Sequence, residues 1–170
     1  MKTCKQVLAM LLAVMMVIIA VPIGALPVIA AEPVATSTGN TTEFAGGSGT
    51  EEDPYLISTK HHLDNVRNYL SSNFKQINDI EFTEFDFSED GDFYNYGVCW
   101  RPIGDANNPF MGNFDGDGFK IKNLQIHKKN SDYVGLFGYV YNGIVANTHL
   151  VSANIEGKNY VGAFVSKAIR

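Results

Sequence analysis

The residues of this chain best suited to hold a metal ion are the alternating oxygen donors of Asn113-x-Asp115-x-Asp117. Their spacing matches the first half of a calcium-binding loop, in which alternate side-chain oxygens face one cation. The twelfth position of such a loop should be a bidentate Glu, and here it is Leu124. Asp and Gly are also the residues from which tight turns are made. We therefore predict a turn over residues 113–118, with calcium binding by Asn113, Asp115 and Asp117 as the alternative.

Carboxylates alternate with aromatic rings over residues 81–96. Paired carboxylates beside aromatic platforms are typical of glycosidases and sugar-binding grooves. The spacing does not place any two of these carboxylates across a substrate. The run therefore also fits an inserted loop whose aromatic side chains pack on the fold while its acids face water. The predicted ligand contact surface consists of five of its rings: Phe85, Phe87, Phe93, Tyr94 and Tyr96.

The other reactive side chains form no catalytic or cofactor-binding pattern. His61 and His62 are adjacent on a predicted helix, so they point about 100° apart and make a poor metal pair. The sequence has no Ser-His-Asp set, nucleotide-binding loop or zinc-ligand cluster. It therefore predicts a protein that is not an enzyme and has no cofactor. Cys99, beside Trp100, is predicted to be a small buried apolar residue, with a reactive thiol as the alternative.

The N-terminus has the organisation of a secretory signal peptide. Lys2 and Lys5 precede an apolar run, and small residues follow at Ala30 and Ala31, where cleavage is expected. An uncleaved membrane anchor is the alternative, because the uncharged run reaches the ~20 apolar residues that span a bilayer. We predict a signal peptide over 1–31, a flexible leader over 32–43, and a secreted, extracellular location associated with the cell surface.

The exported chain is acidic. The full sequence carries 13 basic and 18 acidic residues, a formal net charge of −5, and removal of residues 1–31 takes away two lysines and no acid, which leaves −7. Such a chain lacks the basic footprint that nucleic acid or anionic lipid requires. We predict no nucleic-acid partner and no membrane insertion after signal removal. The expected partner is an unknown extracellular protein or glycan.

One helix and many short strands must position these side chains. Ser58 or Thr59 can cap a helix over Thr59–Ser71, whose apolar stripe consists of Leu63, Val66 and Leu70. From residue 74 onward the pattern changes to short strands separated by turn residues. The predicted strands are 54–57, a stretch that begins over 77–82, and then 100–103, 120–126, 134–140, 144–150, 154–155 and 161–165. Strands at this spacing fit a sandwich, a barrel or a solenoid.

An internal repeat favours the solenoid. The segment 132–137 (DYVGLF) returns as 159–164 (NYVGAF), an offset of 27 residues, and weaker matches have offsets of 23 and 24. Repeats of about 20–50 residues indicate stacked units. We predict an all-β fold, a right-handed parallel β-helix with an N-terminal capping helix. Phe114, Phe137 and Phe164 are expected to stack inside it, and Asn123 and Asn147 to form a ladder at a corner.

The tetrapeptide Gly135-Leu136-Phe137-Gly138 gives the chain a family resemblance. It matches the GLUG motif, named for Gly-Leu-hydrophobic-Gly, and the stretches 49–57, 78–82, 100–104 and 112–118 resemble the usual surroundings of that motif. Over about residues 44–165 the chain thus resembles GLUG-motif bacterial surface proteins. The resemblance implies secreted or wall-attached, adhesin-like proteins. The motif also occurs in relatives of metallopeptidases that cleave immunoglobulin A1, but this sequence has no His-Glu-x-x-His helix.

The sequence divides into four predicted regions: the signal peptide, the leader, an N-terminal strand and capping helix over 44–76, and a solenoid over 77–170, truncated in mid-coil. The leading functional hypothesis is a non-catalytic secreted or cell-surface repeat module that acts as an adhesion or binding scaffold. The alternative is the accessory repeat region of an exported enzyme, a peptidase or a polysaccharide-active enzyme, whose catalytic domain lies elsewhere. A defective fragment without independent function is the third hypothesis.

Overall fold

The computed structural model describes residues 43–169, so the predicted signal peptide and nearly all of the leader lie outside the described residues. The described part is built mainly from short strands, which confirms the all-β prediction. It contains the strands β1 (Tyr55–Ile57), β2 (Asn73–Gln76), β3 (Ile80–Glu81), β4 (Asn113–Asp115), β5 (Lys120–Lys122), β6 (Gln125–Lys128), β7 (Phe137–Tyr141), β8 (Ile144–Ala146), β9 (His149–Val151), β10 (Asn154–Gly157) and β11 (Val165–Ile169).

The predicted capping helix is present but shorter than expected. It consists of α1 (Lys60–Asn65) and one 3₁₀ turn, Val66–Asn68. Thr59 is the N-cap, because its hydroxyl accepts a hydrogen bond from the backbone N–H of His62 at 3.2 Å. Leu63 and Val66 are fully buried, as the apolar stripe predicts. Arg67 lies off that stripe, yet its guanidinium packs 5.0 Å from the ring centroid of Trp100 and covers it.

The strands form four small sheets in which every pairing between named strands is parallel. Two sheets are larger, with the orders β1-β2-β4-β8 and β3-β5-β9, and two are single pairs, β6-β10 and β7-β11. In the first sheet Tyr55, Phe74, Phe114 and Val145 occupy one row. In the second, Ile80, Ile121 and Leu150 form the corresponding row. Residues far apart in sequence therefore lie side by side in register.

The core is a continuous group of apolar side chains, rich in phenylalanine. Phe110 lies 6.1 Å from Phe74 and 4.9 Å from Phe137 between ring centroids, and Phe137 lies 5.4 Å from Phe114. All four rings are buried. The inward orientation predicted for Phe137 within the tetrapeptide 135–138 is thereby confirmed. Cys99 is also buried, as predicted for a small apolar side chain.

The predicted stack of Phe114, Phe137 and Phe164 is wrong at its last member. The offset of 27 residues holds where Val134 pairs with Val161, but three residues later Phe137 pairs with Val165, an offset of 28. One extra residue in the second copy reverses which side chains face the interior, because neighbouring side chains of a strand point to opposite faces. Phe164 is consequently 37% exposed.

The two shorter offsets and the asparagine ladder drawn from them are also wrong. Phe114 pairs with Phe74 and Val145 rather than with a residue of the tetrapeptide. The Asn123 side chain donates to the backbone carbonyl of Phe82, and the Asn147 side chain donates to Asp115. Both asparagines do occupy corners, with φ of 59° and 50°. Coil length varies too much from one turn to the next for a single offset to align every wall.

Two strand predictions differ from the structure in extent. Residues 100–103 form no strand; Ile103 makes only an isolated bridge to Phe137. The predicted strand 161–165 instead begins at Val165, as β11. The predicted strands 120–126 and 144–150 are each divided by a corner with a left-handed residue, Asn123 or Asn147. Short polar residues tolerate that conformation better than bulky ones do, and a corner there turns the chain from one sheet to the next.

Candidate binding surfaces

Two of the five rings predicted to contact a ligand are core residues. Phe87 and Phe93 are buried, and both pack against Phe82, at 5.2 Å and 5.3 Å between ring centroids. Phe93 also stacks on Trp100 at 6.0 Å. A shared aromatic cluster buries more apolar area than these rings could bury singly on the surface. The predicted contact surface is therefore wrong for Phe87 and Phe93.

The remaining three rings of that prediction face outward to different degrees. Phe85 is 64% exposed and Tyr96 is 94% exposed, while Tyr94 is partly covered and its hydroxyl donates to Glu89 at 3.4 Å. Tyr96 also has a left-handed backbone, with φ of 53°. Phe85, Tyr94 and Tyr96 do not form an aromatic pair among themselves within the described residues. Their role as a contact surface stays a prediction.

A buried ion pair ties this loop to the capping helix. The Lys60 ammonium donates to the Asp86 carboxylate, which also accepts hydrogen bonds from the Thr83 backbone N–H at 2.7 Å and the Thr83 hydroxyl at 2.9 Å. Burial by itself would raise the pKa of Asp86, but the hydrogen bonds from Lys60 and Thr83 outweigh it and hold that pKa below its ordinary value. This carboxylate of the acidic run therefore has a structural role.

The acidic turn at 113–118 forms as predicted. The Asp115 carboxylate accepts the backbone N–H of Asp117 at 2.9 Å, which closes a tight turn, and it accepts the Asn147 side chain at 2.9 Å. The Asn113 side chain donates to Asn73 at 2.8 Å, and Asp117 pairs with Lys75 at 3.2 Å. Each side chain of the alternative calcium site is thus directed to a different partner. Across residues 43–169, no group of three His, Cys, Asp or Glu side chains could hold a metal ion.

A cluster that the sequence prediction missed lies on the outer face of β7 and β11. Tyr139 and Lys167 are neighbours in the ladder. Tyr133 and Tyr160 stack with ring centroids 5.0 Å apart and planes 10° from parallel. The Lys167 ammonium lies 5.3 to 5.7 Å from the centroids of all three tyrosine rings. The signal in the sequence was the tyrosine at the same place in both copies of the repeat.

The backbone beneath the stacked pair is strained. Tyr133 and Tyr160 have φ of 59° and 50°, in the left-handed region that bulky side chains rarely adopt. Each such residue costs about 1–2 kcal/mol relative to the right-handed conformation. Conformations of this kind persist where the surroundings over-determine them, and they are common at functional sites. Asp132 and Asn159, which precede the tyrosines, are joined by a hydrogen bond of 2.8 Å that fixes the two turns together.

Charge is divided unequally along the described chain. Residues 43–119 carry 15 acidic and four basic side chains, a net charge of −11, whereas residues 120–169 carry two acidic and six basic ones, a net charge of +4. The tyrosine cluster lies in the basic part. Among the described residues, no carboxylate lies within salt-bridge distance of Lys167. Its ammonium is therefore neutralised by no nearby acid of the described chain.

No helix within residues 43–169 is long and apolar enough to cross a membrane.

Comparison with known proteins gives two relatives and no assigned family. No protein-family model matches the chain, and no solved structure matches it significantly. The chain is 43% identical over 119 residues to a protein of Evansella cellulosilytica named "Putative Gly-rich membrane protein", a match that covers 67% of this chain and 13% of that protein. It is 34% identical over 123 residues to halomucin of Haloquadratum walsbyi, a match that covers 68% of this chain and 1% of halomucin. The chain thus corresponds to a small part of each relative.

Proposed function

We propose that the chain is a non-catalytic repeat module, secreted or held at the cell surface, that acts as an adhesion or binding scaffold. Its strands are proposed to wind as a right-handed parallel β-helix of the GLUG type. The observation that carries the proposal is the set of parallel ladders, in which residues such as Phe74, Phe114 and Val145 are stacked in register. A chain that returns to the same row after each turn builds a wall from successive coils.

Such a wall suits binding for a geometric reason. Neighbouring parallel strands lie about 4.8 Å apart, so outward side chains of successive coils stand in fixed rows. Stacked repeats commonly use extended surfaces of this kind to bind partners. The pair Asn73 and Asn113, joined side chain to side chain at 2.8 Å on the surface, illustrates how regular these rows are. Partner specificity then depends on the outward residues of each row.

The names of the relatives and the predicted signal peptide support the proposed location. One relative is named as a membrane protein and the other as a halomucin, and both names favour a cell-surface or extracellular site. The proposed partner is an extracellular protein or a glycan. The GLUG assignment is supported by the tetrapeptide Gly135-Leu136-Phe137-Gly138 and its context.

A second candidate function is the accessory repeat region of an exported enzyme, a peptidase or a polysaccharide-active enzyme. It is favoured by the small share of the relatives that the chain matches, 13% and 1%. The remaining length of such proteins has room for other domains. Assaying the full-length relative from Evansella cellulosilytica for proteolysis and for polysaccharide cleavage separates the two candidates. Activity that persists when the matching segment is deleted supports the accessory function.

The stacked architecture is tested by engineered disulfides between ladder neighbours. Neighbouring residues of parallel strands have Cα atoms at about 4.8 Å, within the range that a disulfide spans. Cysteines at Asn73 and Asn113, on one sheet, and at Lys120 and His149, on another, should each form a bridge under mild oxidation. The control pair, Asn113 with Asn123, should not. Failure of both designed pairs contradicts the register, and bridging of the control pair equally well contradicts it too.

The binding function is tested by incubating the full chain on arrays of glycans and extracellular proteins. We expect saturable binding to at least one class of probe. The matched control is the heat-denatured chain, which retains composition and charge but loses the rows of side chains. Equal binding by native and denatured chain, or no binding to any probe, contradicts the proposed scaffold function.

A further inference from the structure

The cluster on β7 and β11 combines two properties that a ligand site requires. Tyr160 is 54% exposed, so one face of the stacked pair is open to solvent. The Lys167 ammonium sits beside the rings and is directed to them by its neighbour in the ladder, Tyr139. An open aromatic platform and a fixed positive charge are therefore found within one small area. Neither is needed to bury the core, which lies on the opposite face of these strands.

The charge decides which class of ligand this area can take. A second cation about 4 Å from the Lys167 ammonium would be repelled, which weakens binding by about fivefold in water and by about a thousandfold at the effective dielectric constant typical of a protein surface. An anion gains by the same factors. The net charge of +4 over residues 120–169 acts in the same direction. The cage of tyrosines is already occupied by the chain's own ammonium, so it selects an anionic ligand.

The rings decide the rest of the ligand's chemistry. The face of an aromatic ring carries the negative end of its quadrupole, so it repels a bare inorganic anion and attracts C–H groups. A sugar ring presents C–H groups on one face and can carry a carboxylate at its edge. The hydroxyls of a sugar can also use Asp132 and Asn159, whose side chains lie next to the stacked tyrosines in the sequence and are joined to each other.

We infer that Tyr133, Tyr139, Tyr160 and Lys167 form a binding site for acidic saccharides, that is, for sugar units that carry a carboxylate. The sugar ring lies on the exposed face of Tyr160, and its carboxylate pairs with the Lys167 ammonium. The inference rests on the proposed binding function and names the ligand class for it. The left-handed backbone at Tyr133 and Tyr160 is then the means by which both copies of the repeat turn a ring toward the same ligand.

The test uses isothermal titration of the full chain with three probes: a tetrasaccharide of galacturonic acid, its methyl ester, and choline. The ester keeps the sugar ring and removes the negative charge. We expect the galacturonate to bind at least about tenfold more tightly than the ester, and choline not to bind. Equal binding of the ester contradicts the role of Lys167. Binding of choline in preference to the galacturonate contradicts the charge argument.

Two variants locate the binding, and each has a matched control. Tyr160→Asn removes the ring but keeps a residue that tolerates the left-handed backbone, and Lys167→Gln removes the charge. Both should weaken galacturonate binding at least about tenfold, with thermal unfolding close to that of the parent chain. The controls are Tyr141→Asn, an exposed tyrosine of β7 outside the cluster, and Lys120→Gln, an exposed lysine of β5. They should bind within about twofold of the parent.

The outcomes separate this inference from the function on which it rests. If galacturonate binds and neither cluster variant weakens it, the site lies elsewhere on the chain and the inference is wrong. If the arrays show binding only to proteins or to neutral glycans, the scaffold function stands and the inference is wrong. If native chain binds nothing on the arrays and no galacturonate, both are wrong.

Discussion

Replacement of Phe137 by alanine tests the register of the last two strand pairs. Phe137 is 0% exposed, and its ring packs against Phe110 at 4.9 Å and Phe114 at 5.4 Å between centroids. These neighbours belong to other segments that are held by their own ladders, so they cannot close the space that the ring leaves. Loss of a buried phenylalanine in such a setting costs about 3–5 kcal/mol. We expect Phe137→Ala to lower the free energy of unfolding by that amount.

The matched control is Phe164→Ala, the phenylalanine at the corresponding place in the second copy of the repeat. Phe164 is 37% exposed and lies beside β11, whose only partner strand within the described residues is β7. Because water can fill the space left by its ring, the loss is limited to a part of the ~1.5–3 kcal/mol that complete burial of a phenylalanine provides. We expect a loss of about 1 kcal/mol. The two substitutions delete the same atoms, so the difference of about 2–4 kcal/mol reports burial alone.

The assay is urea unfolding followed by tryptophan fluorescence. Trp100 is the only tryptophan of the chain and is buried in the core, so its emission reports unfolding of the described fold. The free energies come from linear extrapolation of each curve, with the slope checked for constancy among the variants. Equal losses for Phe137→Ala and Phe164→Ala would refute the one-residue shift between the two copies. A loss below about 1 kcal/mol for Phe137→Ala would refute its place in the core.

Three further predictions follow from single contacts. Asp86→Asn should destabilise the chain above about pH 5 and progressively less below about pH 4, because a depressed carboxyl pKa contributes stability that is lost as pH falls through the folded-state pKa; a pH-independent difference in urea unfolding would contradict this. Gly135→Ala should lower the melting temperature, since a Cβ there would lie 2.4 Å from the backbone oxygen of Gly162; an unchanged melting curve would contradict that close approach. Cys99, being buried, should resist maleimide labelling in buffer and react in urea, as mapped by mass spectrometry; rapid labelling of the native chain would show that the thiol is accessible.

Several features of the fold are local and could be read from the sequence. Thr59 caps α1 because the hydrogen bond of an N-cap joins residues three apart. Leu63 and Val66 are buried because helical spacing puts them on one face. The turn at 115–117 forms because an Asp side chain can bond the backbone two residues on. The offset of 27 residues was also correct where both copies keep the same length, at Val134 and Val161.

The candidate site was predicted less well, because exposure of an aromatic ring is not a local property. Phe85 and Phe87 are two residues apart in one acidic run, yet one is exposed and the other is buried against Phe82. The run has no strict period from which the buried side could be chosen. Composition identified an aromatic loop, and only the position of the loop over the capping helix determined which rings it buries.

What the sequence by itself determined is the alphabet of this protein: short strands, one capped helix, a repeated tyrosine-glycine motif and an outward-facing set of charges. The tertiary structure alone decided the register. One extra residue in the second copy moved Phe164 to the surface and placed Lys167 beside Tyr139. Side chains of a strand alternate between two faces, so a single inserted residue exchanges inside for outside. Because residues 27 or 28 positions apart meet only when the coils stack, the cluster of Tyr133, Tyr160 and Lys167 exists in the fold and in no segment of the sequence.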